Sequence, residues 1–295
     1  MNLPTLARGG PRQVRSAAHN AETHAHAAAR RQRGWLVPLG RAGYAANGVV
    51  YGIVGLLAAQ AALGTGGGTT DKGGALAEIV QAPFGRVLLG LVAVGLAGYA
   101  LWRLLQCLLD TERKGASVGG LVQRLGYLVA ACAYFGLAVS AALMAFERAG
   151  RPDEEQLTQD HTAWLLAQPL GPWLVAAVGV IVIGVGVAQV LNGGQRAFGR
   201  DLRTDEMSAG ERSWAVLAGR FGYVARGVVF GIVGVFLVSA ARQEQPQQAR
   251  GLGGALAALA EQPSGPLLLG VVAFGLIAYG VYMLVAARYR RMVVV

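Results

Sequence analysis

Residues 41–55 read Arg41-Ala-Gly43-Tyr44-Ala-Ala-Asn47-Gly48-Val-Val-Tyr51-Gly52-Ile-Val-Gly55, and residues 220–234 read Arg220-Phe-Gly222-Tyr223-Val-Ala-Arg226-Gly227-Val-Val-Phe230-Gly231-Ile-Val-Gly234. The two stretches align without a gap at an offset of 179 residues. So many matches in one register point to duplication rather than chance composition. Both stretches are apolar, lack acidic residues and place glycines at helical spacing, so each reads as part of a membrane-spanning helix.

The repetition continues outward. Gly74-Ala75-Leu76, Pro83, Gly85, Gly90, Ala93, Gly95 and Tyr99 recur as Gly254-Ala255-Leu256, Pro263, Gly265, Gly270, Ala273, Gly275 and Tyr279, offset by 180. A degenerate third copy lies between them. There, Arg124, Gly126, Tyr127 and Tyr134 match at an offset of 83, and Pro169 and Gly171 at 86. Each copy is expected to hold an odd spanning helix, a loop with a short helix, a Pro-x-Gly turn and an even spanning helix. Pro83, Pro169 and Pro263 are expected to open the even helices, since proline is pre-organised for a first helical turn. The short apolar segments 75–80 and 255–260 are too brief to cross a bilayer and are expected to lie along its outer interface.

Composition agrees. The 295 residues are 54% apolar and only 14% charged, outside ordinary soluble usage. Uncharged runs cover residues 42–70, 125–146, 162–195 and 262–287, each long enough to cross a hydrocarbon core of about 30 Å as helix. Two shorter apolar stretches, 87–102 and 227–241, are flanked by Arg86, Arg103 and Arg226, whose side chains can snorkel toward headgroups. The expected fold class is all-α: a polytopic membrane protein of six transmembrane helices, built as three parallel helix-hairpin repeats. The expected boundaries are a disordered basic tail over residues 1–34 and repeats over 35–115, 116–200 and 210–295.

Charge sets the expected orientation. With the N-terminus inside, nineteen Lys and Arg residues fall on the cytoplasmic side and six on the other, so the positive-inside rule places both termini in the cytoplasm. Trp35, Trp102 and Trp214 then mark one interface, and Trp164 and Trp173 the other. Because every copy enters from the same side, the repeats are related by an axis along the membrane normal, unlike inverted-repeat transporters. The net charge of +10 follows this topology and gives no nucleic-acid footprint. Lysine occurs only at Lys72 and Lys114, and Ala, Gly, Val and Leu dominate, as in GC-rich bacterial genomes. The first forty residues lack an apolar core of the signal-peptide kind. The expected location is the bacterial plasma membrane.

Two motifs are candidate functional features. Gly48, Gly52 and Gly55, with Gly227, Gly231 and Gly234, form small-residue faces that let neighbouring helices approach closely. Helix packing is the preferred reading and a glycine-lined pore the sharper one. Arg41 with Tyr44, Arg124 with Tyr127 and Arg220 with Tyr223 recur at the cytoplasmic entrance of the odd helices. Topological anchoring explains them more simply than a threefold anion site. Within the spans, Asn47, Arg103, Gln106, Ser140, Gln189, Arg226 and Ser239 are polar, and no acid lies near a midplane, which weakens ion-coupled transport. Cys107 and Cys132 read as buried small side chains, and the acidic loop 147–161 as solvated. Neither catalytic residues, nor a cofactor site, nor a metal site is predicted, and no enzymatic motif is present.

The recurrent Arg-x-Gly-Tyr-x-x-x-Gly-Val-Val-Tyr/Phe-Gly stretch, followed by Gly-Ala-Leu, Pro-x-Gly and Gly-Leu-x-x-Tyr, resembles the bacterial family catalogued as domain of unknown function 1206. The resemblance covers about residues 38–288 and implies a triplicated six-helix membrane protein, with no activity or site residues to carry over. The reading adopted at this point is a structural or accessory protein of the plasma membrane. It would act through helix packing, lipid contact, a membrane-protein partner or homo-oligomerisation. The alternative is a channel or uncoupled transporter with its path along the pseudo-threefold axis.

Overall fold

The computed structural model describes residues 11–109, 118–146, 154–195 and 202–290. Nine α-helices follow in order among these residues: α1 (Pro11–Leu63), α2 (Lys72–Gln81), α3 (Gly85–Leu109), α4 (Val118–Ala145), α5 (Glu154–Leu166), α6 (Gly171–Gly194), α7 (Ala209–Gln243), α8 (Leu252–Ala260) and α9 (Gly265–Tyr289). Six contain stretches long and apolar enough to cross a membrane: Val37–Leu63, Gly85–Leu108, Gly119–Ala145, Gly171–Gly194, Ala209–Gln243 and Gly265–Tyr289. Helix α1 begins at Pro11, within the stretch expected as a disordered tail. The Ala-rich run from Ala17 to Ala29 favours helix.

The Pro-x-Gly turns are built alike in all three copies. Gly85 N–H donates to Ala82 O at 2.8 Å, Gly171 N–H to Gln168 O at 2.8 Å and Gly265 N–H to Gln262 O at 2.7 Å. A Cβ on these glycines would collide with the carbonyl oxygens of Ile79, Leu166 and Ala260, so the short helix folds directly onto the start of the even helix. Pro83, Pro169 and Pro263 belong to the turns and do not open the even helices. Pro172 and Pro266 take the first helical turn of α6 and α9.

The most extensive contacts join different repeats: α3 packs along α4, α6 along α7, and α9 along α1. Within repeats, α1 packs on α3 and α7 on α9 less extensively. The two helices of the middle repeat, α4 and α6, make no extended contact, so this copy does not form the packed hairpin that the repeat pattern predicts. The six spans thus form an arc in the order α6, α7, α9, α1, α3, α4.

Glycines set the closeness of two of the three seams between repeats. A Cβ on Gly48 would lie 2.8 Å from Gly280 O, and one on Gly55 would lie 2.8 Å from Ala273 O. At the matching seam, Gly227 faces Gly186, and Gly234 faces Gly179 and Ile183. In the α3–α4 seam, Ala131 and Ala138 stand where Gly48 and Gly55 stand in the first copy, and both are buried. The glycine faces therefore lie against neighbouring helices of the same chain, close enough for backbone contact.

The short helices differ from expectation. Ala75, Leu76, Ala255 and Leu256 are fully buried, so α2 and α8 are packed into the protein along one side rather than laid on its surface. Lys72, the first residue of α2, touches Tyr51, which lies twelve residues before the end of α1, or about 18 Å of helix rise. The loop after α1 therefore turns back into the bundle, and α2 starts from inside it. Helix α8 begins beside α2: a Cβ on Gly253 would lie 3.3 Å from Asp71 N.

Candidate functional site

Two of the entrance arginines, Arg124 and Arg220, are capping residues. Arg124 Nε donates to Cys107 O at 2.8 Å, at the C-terminal end of α3. Arg220 Nη2 donates to Gln195 O at 2.8 Å, the residue that ends α6. Helices α4 and α7 thus satisfy carbonyls left open at the end of the preceding even helix and bring positive charge to the negative end of its dipole. Arg41 is half-buried at the equivalent place on α1. The geometry does not gather these arginines into a ligand site.

The tyrosines behind them turn inward. Along each odd helix, positions i, i+3 and i+7 share a face. They are Tyr44, Asn47 and Tyr51 on α1, Tyr127, Ala130 and Tyr134 on α4, and Tyr223, Arg226 and Phe230 on α7. Tyr44 meets Tyr99 of α3 edge to face, with ring centroids 5.1 Å apart, and Tyr223 meets Tyr279 of α9 at 5.5 Å. The contacts continue as Tyr99–Tyr134 at 4.6 Å and Tyr51–Tyr279 at 4.8 Å. Such edge-to-face pairs stabilise by about 0.5–1.5 kcal/mol each.

Cations sit on this aromatic wall. Arg226 Nε donates to Tyr51 OH and Arg226 Nη1 to Tyr279 OH, both at 2.9 Å, and its guanidinium also lies 4.7 Å from the Phe230 ring centroid. Lys72 Nζ donates to Tyr134 OH at 3.2 Å and lies 4.9 Å from the Tyr51 ring centroid. Nearer the arginine end, Arg103 donates to Tyr99 OH at 2.5 Å and to Gln106 Oε1 at 3.0 Å, and it lies 5.3 Å from the Tyr127 centroid. Arg290 stacks 5.1 Å from the Tyr44 centroid. Among the described residues, Arg226 and Arg103 bond to phenols and an amide and to no carboxylate.

The same interior holds polar atoms without partners. Asn47 is 0% exposed, and neither Nδ2 nor Oδ1 has a hydrogen-bond partner. The fully buried Tyr44 OH and the buried Gln189 Oε1 are likewise unpartnered. A buried polar group without a partner costs about 1–3 kcal/mol, so Tyr44 and Asn47, neighbours on one face of α1, are the polar atoms there that a water or a polar guest would relieve. Guanidinium and phenol donors together suit an oxyanion or halide.

At the short-helix end, Asp71 caps α2 by accepting Gly74 N–H at 2.7 Å, and Glu155 of α5 accepts the N–H of Gly251, the residue just before α8, at 2.9 Å. Glu155 thus has a structural contact within the loop read as solvated, part of which lies outside the described residues. Cys107 and Cys132 are free thiols, and Cys132 is exposed rather than buried.

Of the predicted site residues, the structure brings Tyr44 and Tyr223 to the aromatic wall and sets Tyr127 against Arg103. The six glycines lie at the helix seams. Sequence reasoning noted Asn47, Arg103 and Arg226 only as polar residues within the spans, and it missed Lys72, Tyr51, Tyr134 and Tyr279. The available signal was register: Tyr51, Tyr134 and Phe230 are aromatic at one position of all three copies.

The family match has the same three-part layout as the structure. Three successive stretches, residues 42–110, 125–196 and 221–290, match the Domain of Unknown Function (DUF1206). The chain belongs to the DUF1206 family. Each DUF1206 unit spans one odd helix, one short helix and one even helix. The chain is also similar to "Uncharacterized protein YxxB" of Bacillus subtilis (strain 168), 36% identical over 258 residues that cover 88% of this chain and 92% of that one. Comparison with solved structures gives no match.

Proposed function

We propose that this DUF1206 protein is an integral protein of the bacterial plasma membrane that binds a small anion on the concave face of its helix arc and passes it without coupling to another ion. The observation that carries the reading is Arg226, held within the spans by two phenols, with no carboxylate bonded to it among the described residues. An intramembrane arginine is costly and marks a function when it has no acid beside it. The unpartnered Asn47 and Tyr44 on the neighbouring stripe support the same reading. The spans carry no acid near their middle, and the buried Asp71 beside Lys72 is engaged in capping α2, which accords with uncoupled passage. The excess of Lys and Arg at the arginine end supports cytoplasmic termini.

A structural or accessory role rested on the glycine faces. Those faces are occupied within the chain, Gly48 by Gly280 and Gly227 by Gly186, which leaves them less to offer a partner. The test is flux from proteoliposomes loaded with chloride, nitrate or phosphate. Wild-type protein is expected to pass at least one of them in preference to potassium, and Arg226→Gln to lower the rate about tenfold or more. Folded protein that passes none of the three would overturn the reading.

A further inference from the structure

The arc is open between α4 and α6, and positions that the other copies bury are uncovered there. Tyr99 and Tyr279 are 1% and 0% exposed, while Val185, their counterpart on α6, is 40% exposed. Gly43 and Gly222 press on the backbones of Tyr99 and Tyr279, while their counterpart Gly126 on α4 has nothing near it. Asn47 and Tyr51 are fully buried on α1, while Arg226 and Phe230, their counterparts on α7, are half-buried. The uncovered positions on α4 and α6 thus share the register of the buried aromatic and Asn47 positions in the first copy, and Arg226 is less buried than Asn47.

We propose that the phosphate of an anionic membrane lipid enters through this opening and binds Arg226, with its acyl chains lying along α4 and α6. The inference rests on the anion reading of the concave face and names the anion's source. Arg226 uses two of its five N–H donors on Tyr51 and Tyr279, and no described residue engages the other three. The two phenols fix the plane of the guanidinium, and the remaining donors suit bidentate binding of a phosphate. A cation reachable from hydrocarbon needs a counter-charge from that side, and lipid phosphate is the anion a bilayer supplies. Val185 and Ala130 are apolar at the opening, where Tyr and Asn or Arg stand in the other copies, so the opening is lined to suit chains rather than ions.

Phosphatidylglycerol titrated onto purified protein and read by native mass spectrometry tests this. Wild-type protein is expected to hold one phosphatidylglycerol in preference to phosphatidylcholine. Arg226→Gln is expected to weaken that binding about ten- to a hundredfold, the loss of a charge-assisted contact. Val185→Trp, which fills the opening, is expected to weaken lipid binding. Equal binding of phosphatidylglycerol by wild type and both variants would overturn the proposal. Flux of free chloride without lipid binding would overturn it too while leaving the anion reading intact, whereas specific lipid binding with no flux would support it and overturn passive anion passage. If Arg226→Gln fails to fold, a phosphatidylglycerol carrying a photoreactive acyl chain decides on the wild type. Labelling within residues 124–134 and 178–189 supports the site, and labelling confined elsewhere overturns it.

Discussion

Gly186 and Gly227 face each other so closely that a Cβ on either would lie 2.6 Å from the carbonyl oxygen of the other. No side chain fits between α6 and α7 at that level. The same contact recurs between Gly48 and Gly280, where α1 meets α9. Each pair lies between two repeats, so the repeats are joined where their backbones touch.

Substituting these glycines separates packing from propensity. Gly227→Ala is expected to destabilise the protein by about 1–3 kcal/mol through overpacking. Gly231→Ala, one turn further on, directs its methyl into open space and is expected to be neutral or slightly stabilising, since alanine favours helix. Thermal unfolding in detergent, followed by loss of monodisperse protein, gives the comparison. Equal melting temperatures for the two variants would contradict the seam geometry.

Removing an entrance arginine should loosen the helix before it, not its own. Arg124→Ala leaves Cys107 O without its donor, and Arg220→Ala does the same for Gln195 O. A charged hydrogen bond of this kind contributes about 1.5–3 kcal/mol. Amide exchange is expected to speed up over residues 104–109 in the first variant and 190–195 in the second. Faster exchange confined to α4 or α7 would refute the capping role.

Asn47 should be more stable when replaced by leucine. The side chain is fully buried with both amide atoms unpartnered, so Asn47→Leu removes a desolvation cost of about 1–3 kcal/mol. If Asn47 serves the anion, the variant melts higher and passes less anion. Such opposite movement is the mark of a residue kept for function. A variant that melts lower, or keeps full flux, would remove Asn47 from the site.

Alanine at the Pro-x-Gly glycine is expected to be severe in every copy. Gly85, Gly171 and Gly265 each close against a backbone carbonyl of the short helix, which no flexible side chain can relieve. Gly265→Ala is expected to cost more than about 3 kcal/mol, at the upper end of overpacking effects. Lost expression of folded protein, against normal folding of the neighbouring Ser264→Ala, would bear this out.

Helix Glu155 belongs to ties α8 through one carboxylate, so Glu155→Ala should free the Gly251 amide and cost about 1 kcal/mol, the usual worth of an N-terminal cap. Faster exchange of the amides of residues 251–254 would be the readout. Unchanged exchange would place the capping elsewhere.

The six spans and the threefold duplication were legible because uncharged length and repeated register are properties of the chain alone. Neighbour choice was not. In a bilayer the outward face of a helix is as apolar as its inward one, so periodicity does not say that α1 meets α9 or that α4 and α6 stay apart. Lys72 was obscured for a related reason: it sits in a Gly- and Thr-rich loop that reads as solvent-exposed, and only the return of that loop into the bundle carries it to Tyr134. Asn47, Arg103 and Arg226 were visible as polar interruptions, but their grouping depends on aromatic residues that each look like ordinary core.

Because α1 packs along α9 while α4 and α6 stay apart, the order of helices in space is a rotation of their order in sequence. A chain recut between α4 and α6, with its old ends joined by a linker from α9 to α1, would lay its spans down in the sequence α6, α7, α9, α1, α3, α4, each beside the one made just before it. The natural order instead makes α1 wait for α9, with α3, α4, α6 and α7 made in between. In the natural order α1 therefore meets α9 only after the four spans between them have been made, and a circularly permuted version would dispense with that wait.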